Sequence, residues 1–166
     1  VAKGPLPAAL QQLGATGNEN FGYWTGGQHA IPGSNVFEST IQRIDYSTDT
    51  TSPTPKGTLS VGRSTKSTGN SSFGYSGGGG GSPSWDKKST IDRIDYSNDT
   101  ATAASKGPLN AALRKHSAFS SRANALPTQN IYSTNVSSSE EVSGTRHTGG
   151  TNYGYWAGGI AAPTSV

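Results

Sequence analysis

Hydrophobic residues in this chain occur in short aromatic clusters that glycine and small polar residues separate. The clearest clusters are FGYWTGG (21–27), FGYSGGG (73–79) and NYGYWAGG (152–159). Aromatic residues favour strands, and the glycine pair that follows lets the backbone leave extended geometry. The pattern predicts equivalent strands at residues 21–25, 73–76 and 153–156.

A second pattern follows the first two clusters, STIQRIDYSTDT (39–50) and STIDRIDYSNDT (89–100). If this segment is a strand, neither of its two sides is purely apolar or purely polar, which is typical of a strand covered on both faces. The Ser-x-Asp-Thr residues at its end favour a turn stabilised by side-chain bonds to local backbone. We therefore expect a central strand followed by a tight turn.

These segments form one unit that recurs after about fifty residues, a period typical of propellers and solenoids. A Lys-Gly-x-Leu segment closes each unit, at residues 56–59 and 106–109. We predict an all-β fold of four-stranded antiparallel blades, with a β-solenoid or another repeat fibre as the alternative. The repeats should occupy residues 1–114 with unit boundaries near 13–60 and 61–110, an insertion loop residues 115–145, and a further repeat residues 146–166.

The composition restricts the function classes. Only 30% of residues are hydrophobic and 14% are charged, with 23 glycines, which fits short strands and many turns rather than one large helical core. Cysteine is absent, which excludes disulfides and thiolate metal sites. The net charge of +3 is scattered, so we expect no nucleic-acid partner, and no apolar run predicts a membrane span. Methionine is absent even at position 1, which predicts a processed chain or a piece of a longer one.

Two charged pairs recur at the same place in both copies, Arg43 with Asp45 and Arg93 with Asp95. General acid–base catalysis needs a carboxylate in one unique cleft rather than one in every repeat. We interpret these residues as structural polar pairs that bridge packed sheets. Both arginines should be buried and bonded to a carboxylate or to backbone carbonyls of an adjoining blade, since a buried guanidinium without partners is costly.

Two other segments resemble ligand-binding motifs but lack residues that those motifs require. The segment from Asp45 resembles the start of a calcium loop, but Thr50 and Lys56 occupy the positions that require glycine and glutamate. The glycine run 77–81 lacks the Lys-Ser or Lys-Thr of a phosphate loop, so we interpret it as a flexible turn. The three histidines have unrelated contexts. We predict no catalytic residue, no metal site and no cofactor.

A candidate contact surface combines Trp85 with three residues of the insertion, Phe119, Ile131 and Tyr132. Trp85 occurs in one repeat alone, where it is either a contact residue or the anchor of its loop. The insertion has little periodicity, and loops of that length are usually functional or disordered. We expect it to lie outside the sheets and to contact something beyond its own blade.

The wording of the repeat resembles kelch-type β-propeller blades. Residues 23–27 are similar to the kelch double-glycine strand, residues 41–47 to the next strand, and residues 106–109 to the closing segment. The tryptophan that kelch blades carry after the Tyr-Asp strand is missing near Ala101 and Thr102. The units resemble even more closely those of repeat proteins of marine viruses, cyanophages included, and of cyanobacteria, over about residues 1–114 and 146–166.

The resemblance implies a structural component of a virus particle, such as a tail or fibre protein, found in the virion or outside the cell. Its partners would be other virion subunits, in a homo-oligomer or a longer chain, and a host surface glycan. Two alternatives are a secreted or cell-surface carbohydrate-binding propeller and a glycan-degrading enzyme, although the sequence favours no enzyme. Because three incomplete units do not close a propeller, we expect an incomplete ring that needs further repeats or further copies.

Overall fold

The computed structural model describes residues 3–29, 36–82, 84–120, 154–157 and 160–161, the last two ranges as backbone. Strands dominate these residues, and their only helices are two short 3₁₀ turns, Tyr46–Thr48 and Tyr96–Asn98. In chain order the strands are β1 (Leu10–Gln11), β2 (Gly14–Gly17), β3 (Phe21–Thr25), β4 (Gln28–His29), β5 (Thr40–Asp45), β6 (Thr54–Thr58), β7 (Lys66–Gly69), β8 (Phe73–Gly77), β9 (Gly80–Gly81), β10 (Asp86–Asp95), β11 (Ala104–Arg114), β12 (Ser117–Ser120), β13 (Gly154–Ala157) and β14 (Ile160–Ala161).

Each copy of the repeat forms one antiparallel sheet. Repeat 1 gives the four-stranded order β2-β3-β5-β6, and repeat 2 gives β7-β8-β10-β11 with β14 added beside β11. Phe21 lies opposite Asp45 and Tyr23 opposite Arg43, and repeat 2 shows the same register for its own residues. The all-β prediction is therefore confirmed, and both STI segments are central strands in equivalent positions.

The hairpins before the aromatic strands are held by asparagine side chains. Asn18 Oδ1 accepts hydrogen bonds from the backbone N–H groups of Asn20 and Phe21 at 3.0 Å. Asn70 does the same for Ser72 and Phe73, at 2.9 and 2.8 Å. This local capping is the reason that Thr-Gly-Asn precedes each of these two strands.

A third sheet begins after repeat 2. β12 pairs with β13 in the register that β2 and β3 show, and β7 contacts β2 on one side and β12 on the other. Residues 117–120 therefore belong to a sheet, although the sequence predicts that the insertion starts at residue 115. Exposed and half-buried side chains alternate along this strand. The rest of the predicted insertion lies outside the described residues.

The hydrophobic core lies between repeats rather than inside one of them. Its buried members are Tyr23, Ile41 and Leu59 from repeat 1 and Ile94, Tyr96 and Ala103 from repeat 2. A chain with 30% hydrophobic residues can fold in this way because each sheet shares one apolar face with its neighbour. Among the described residues, no helix has the length and apolar character needed to cross a membrane.

Candidate functional site at the junction between repeats

The junction between repeats 1 and 2 is organised around the carboxylate of Asp99. Arg43 Nη1 donates to Asp99 Oδ2 at 2.8 Å, and the Tyr23 hydroxyl donates to the same oxygen at 3.0 Å. Lys56 Nζ lies 4.0 Å from the other oxygen. Because the Asp99 side chain is only 7% exposed, these three groups of repeat 1 supply nearly all of its polar surroundings.

Local sequence aims Asp99 at this cluster. Asp95 ends β10, and its Oδ1 accepts from the Ser97 backbone N–H at 3.0 Å and from the Ser97 hydroxyl at 2.6 Å. These bonds hold the pKa of Asp95 below its usual range and fix the 3₁₀ turn that follows. The turn reverses the chain, so Asp99 faces back toward repeat 1.

The predicted Arg43–Asp45 pair takes a different form. Asp45 is bonded to Ser47 through bonds of 2.9 and 2.6 Å, which lower its pKa, whereas Arg43 is bonded to Asp99 of the next repeat. Arg43 therefore has the carboxylate partner in the adjoining repeat that the sequence predicts, whereas Asp45 does not bridge the sheets, because the strand ends at Asp45 and this residue caps the turn that follows. In repeat 2, likewise, Asp95 caps its turn and Arg93 lies over the Phe73 ring at 4.3 Å. Replacing Asp95 therefore removes a turn cap rather than the partner of Arg93.

Two tyrosines join the apolar and polar parts of the junction. The Tyr23 and Tyr96 rings stack with centroids 4.8 Å apart, and the Tyr96 hydroxyl lies 2.7 Å from Thr16 Oγ1. Burial raises the pKa of Tyr96 to about 12 and raises that of Tyr23 further, with the neighbouring Asp99 carboxylate adding to the effect. Both phenols stay protonated at neutral pH and can act as donors across the junction.

The backbone of the closing Lys-Gly segment also takes part. Gly57 N–H donates to the Asp99 carbonyl at 2.7 Å, and a Cβ on Gly57 would lie 1.9 Å from the Ala101 carbonyl oxygen. Gly4 repeats this contact with repeat 1, where its N–H donates to the Asp49 carbonyl at 3.1 Å. Glycine is required here because the two backbones approach too closely for any side chain.

A buried ion pair forms the second polar element of the junction. Arg63 and Asp92 both have fully buried side chains, and Arg63 Nη1 lies 3.0 Å from Asp92 Oδ2. The guanidinium also donates to the carbonyls of Gly78, Ser76 and Val61 at 3.0, 3.1 and 3.2 Å. Asp92 in turn accepts from Ser60.

Comparison of the two repeats explains why this pair exists. Arg63 follows Lys56 by the same interval that separates Leu10 from Lys3, and Asp92 occupies the place of Gln42 in the STI segment. A leucine with a glutamine in repeat 1 is thus replaced by an arginine with an aspartate. The exchange of Gln42 for Asp92 between otherwise similar segments is the sequence signal for this pair, but its partner Arg63 lies outside the repeated segments 39–50 and 89–100, so the sequence does not connect the two residues.

The glycine pair at residues 78–79 forms the turn that follows the aromatic strand β8. Gly78 and Gly79 have φ values of +58° and +102°, and Gly79 N–H donates to the Leu113 carbonyl at 2.8 Å. A Cβ on Gly79 would lie 1.6 Å from the Ser64 carbonyl oxygen. Residues 77–81 are buried, and Gly80–Gly81 form β9 against β10. Gly78 and Gly79 do form a turn between strands, as predicted, but the turn is buried and the approach of Gly79 to the Ser64 carbonyl leaves no room for a side chain there.

Two of the four predicted contact residues, Trp85 and Phe119, are among the described residues. Trp85 packs edge-on against Phe37 with ring centroids 4.9 Å apart, as expected for a loop anchor. Phe119 lies on β12 and is 56% exposed. Ile131 and Tyr132 lie outside the described residues.

One cavity lies where the first strands of successive sheets begin. It has a volume of about 280 Å³ and is lined by Gln12, Ser64, Thr65, Lys66, Gly79, Lys115 and His116. His116 Nε2 lies 3.0 Å from the Gly77 carbonyl, and burial lowers the pKa of His116. Over the described part of the chain, no cluster of three or more His, Cys, Asp or Glu side chains is arranged to hold a metal ion.

The strongest chemical specialisation among the described residues is therefore the polar, closely packed surface between consecutive repeats. Its parts suit recognition of one repeat by the next. Comparison of the sequence with models of known protein families and with curated proteins finds no match to either.

Proposed function

We propose that this chain is an architectural repeat segment whose sheets are consecutive blades of a kelch-like β-propeller. Three features support the blade assignment. Each repeat forms a four-stranded antiparallel meander, the first strands β2, β7 and β12 neighbour one another, and apolar residues are shared between adjacent sheets. Propeller blades pack in this radial manner around a central axis.

The observation that carries the scaffold role is the Asp99 cluster at the junction. Arg43, Tyr23 and Lys56 of one repeat converge on a nearly buried carboxylate of the next. The cluster is enclosed by the two repeats, so it holds them in fixed register and leaves little room for a substrate. Such a role fits a structural protein of a virus particle, which the resemblance of the repeat sequence implies.

Labelling of native particles tests this function. An antibody fragment raised against the purified chain is applied to a virus preparation that contains the protein, and decoration is examined by electron microscopy. We expect regular decoration of particles, which preincubation of the fragment with the purified chain abolishes. Undecorated particles, with the protein found only in the soluble fraction, would contradict the virion role.

A carbohydrate-binding propeller is the second candidate, favoured by the cavity between the first strands. Lys66 and Lys115 provide cationic donors at its wall, and His116 contributes an imidazole. A glycan array probed with the chain and with its Lys66→Ala variant tests this candidate. Loss of a glycan signal in the variant supports binding, and release of new reducing ends from host polysaccharide would instead indicate a glycan-degrading enzyme.

A further inference from the structure

Repeat 2 presents to its outer side the same groups that repeat 1 uses to hold repeat 2. Position by position, Thr68, Tyr75, Arg93, Lys106 and Gly107 of repeat 2 correspond to Thr16, Tyr23, Arg43, Lys56 and Gly57 of repeat 1. We call these five residues of repeat 2 the trailing face. The two sets differ in what they contact, and the difference is the basis of the inference.

The arginine of the trailing face is positioned as Arg43 is, but its Nε has no acceptor among the described residues. Arg93 lies over Phe73 at 4.3 Å, the distance at which Arg43 lies over Phe21. Arg43 reaches the carboxylate of Asp99, whereas Arg93 Nε is buried without a hydrogen-bond partner within the described residues. A buried donor of this kind is destabilising unless another group satisfies it.

Two other residues of the trailing face also lack the contacts that their counterparts in repeat 1 make. Thr16 Oγ1 is bonded to the Tyr96 hydroxyl, whereas the Oγ1 of Thr68, itself only 4% exposed, has no partner within the described ranges. A Cβ on Gly57 would strike the Ala101 carbonyl, whereas a Cβ on Gly107 would meet nothing within 4 Å. Two unpartnered polar atoms and one open backbone position therefore lie on the same face.

The groups that would complete this face are known from the junction inside the chain. They are a tyrosine that stacks on Tyr75 and bonds to Thr68, and an aspartate that accepts from Arg93, Tyr75 and Lys106. Both stand at the end of the STI segment, as Tyr96 and Asp99. The edge of β13 away from β12 is the place of the strand itself, since β5 pairs with β3 and β10 with β8 in this position.

We infer that the trailing face is a docking site for one further strand-and-turn segment of the type Ile-x-Arg-Ile-Asp-Tyr-Ser-x-Asp-Thr. The segment adds to β13 as a third strand and places its aspartate between Arg93, Tyr75 and Lys106. Charge complementarity favours this occupant, because two cations face one carboxylate as at Asp99. Strand addition supplies backbone hydrogen bonds, and the tyrosine and aspartate supply specificity.

The inference rests on the proposed stacking of repeats but not on a location in virus particles. A failed labelling experiment leaves the docking site standing, and failed docking leaves the virion role standing. The two proposals are therefore tested separately.

The first test adds a synthetic peptide of residues 86–101 to the full chain and measures binding by fluorescence anisotropy. We expect saturable binding that weakens at least tenfold when the peptide carries Asp99→Asn or the chain carries Arg93→Met. The matched control is Arg43→Met in the chain, which alters the internal junction and not the trailing face. Equal binding of the Asp99→Asn peptide would overturn the proposal.

The second test supplies the segment within the same chain. It decides the outcome if the peptide does not bind, because a free peptide loses more entropy on binding than a covalently attached segment does. Residues 82–110 are appended after Ala161, which corresponds to Gly81, so that the copy follows in the natural register. We expect a rise in the melting midpoint of about 5 °C or more, on the scale of a few kcal/mol for a domain of this size. Arg93→Met should abolish most of the rise and should change the original chain little. A midpoint that does not rise, or that rises equally with Arg93→Met, would overturn the inference.

Discussion

The buried Arg63–Asp92 pair allows a sharp test, because repeat 1 carries an uncharged pair, Leu10 and Gln42, at the same positions. The perturbation is a set of three variants, Asp92→Gln, Arg63→Leu and the double variant. The double variant reproduces in repeat 2 the leucine and glutamine of Leu10 and Gln42. Each single variant leaves one charge of the pair without its partner in a fully buried place.

The magnitude follows from burial and from the remaining hydrogen bonds. Asp92→Gln leaves the Arg63 guanidinium with three neutral carbonyl acceptors, and Arg63→Leu leaves the Asp92 carboxylate with the donors of Ser60. Breaking a buried pair from one side costs about 3–5 kcal/mol of the free energy of unfolding. The double variant removes both charges and should lie within about 1.5 kcal/mol of the parent, as for other shape-compatible core exchanges.

Equilibrium urea unfolding, followed by tryptophan fluorescence, measures all four proteins and gives the coupling energy of the pair. Asp86→Asn is the control, because its partner Lys88 lies with it at an exposed site where loss of the ion pair should change little. The reasoning is refuted if the double variant is destabilised as much as the two single variants together. Additivity would mean that the two side chains contribute independently of each other.

Three further predictions concern the junction and its surroundings. Asp99→Asn should lower the free energy of unfolding by about 2–4 kcal/mol because Arg43 and Tyr23 lose a buried anionic acceptor. The equivalent Asp49→Asn should change that free energy by no more than about 1 kcal/mol, since Asp49 is 36% exposed and paired with Lys3. Equal losses of the two variants in thermal melts would contradict this prediction. Gly57→Ala should reduce stability by forcing the backbones at the junction apart, and a variant with an unchanged melting midpoint would show that the close approach is not required. The pKa of His116 is lowered in the folded chain, so the unfolded chain binds a proton more readily and stability should fall as the pH drops below the ordinary pKa of 6.5. His116→Gln retains a donor for the Gly77 carbonyl and should reduce that pH dependence. Urea midpoints at about pH 7.5 and 5.5 measure it.

Elements with a local cause could be predicted from the sequence. The strands at residues 21–25 and 73–76 are found close to their expected bounds, because aromatic residues and the following glycine pair determine them locally. The turn after the STI segment also follows from its Asp, Ser and Thr residues. Equivalence of the two repeats follows from the repeated wording alone.

Partners across the junction could not be predicted in the same way. The sequence predicts that Arg43 bonds to a carboxylate or a carbonyl of the adjoining unit, and its acceptor is indeed a carboxylate of the next repeat, but the sequence does not identify that residue as Asp99. Nothing in the spacing of one strand shows which distant turn will lie over it. The role of Arg63 was hidden for the same reason, since its partner Asp92 belongs to a strand of the following sheet.

The Arg63–Asp92 pair bears on a difficulty that every array of near-identical repeats meets. If all junctions were chemically equal, each repeat could pack against any other repeat, and repeats could join in the wrong order. Arg63 requires a carboxylate opposite it, which repeat 2 provides as Asp92 and repeat 1 does not, since Gln42 stands there. A mispaired junction would bury the guanidinium without a counter-charge, at a cost of about 3–5 kcal/mol. The same substitution that looks like drift between two copies therefore makes the order of the repeats specific.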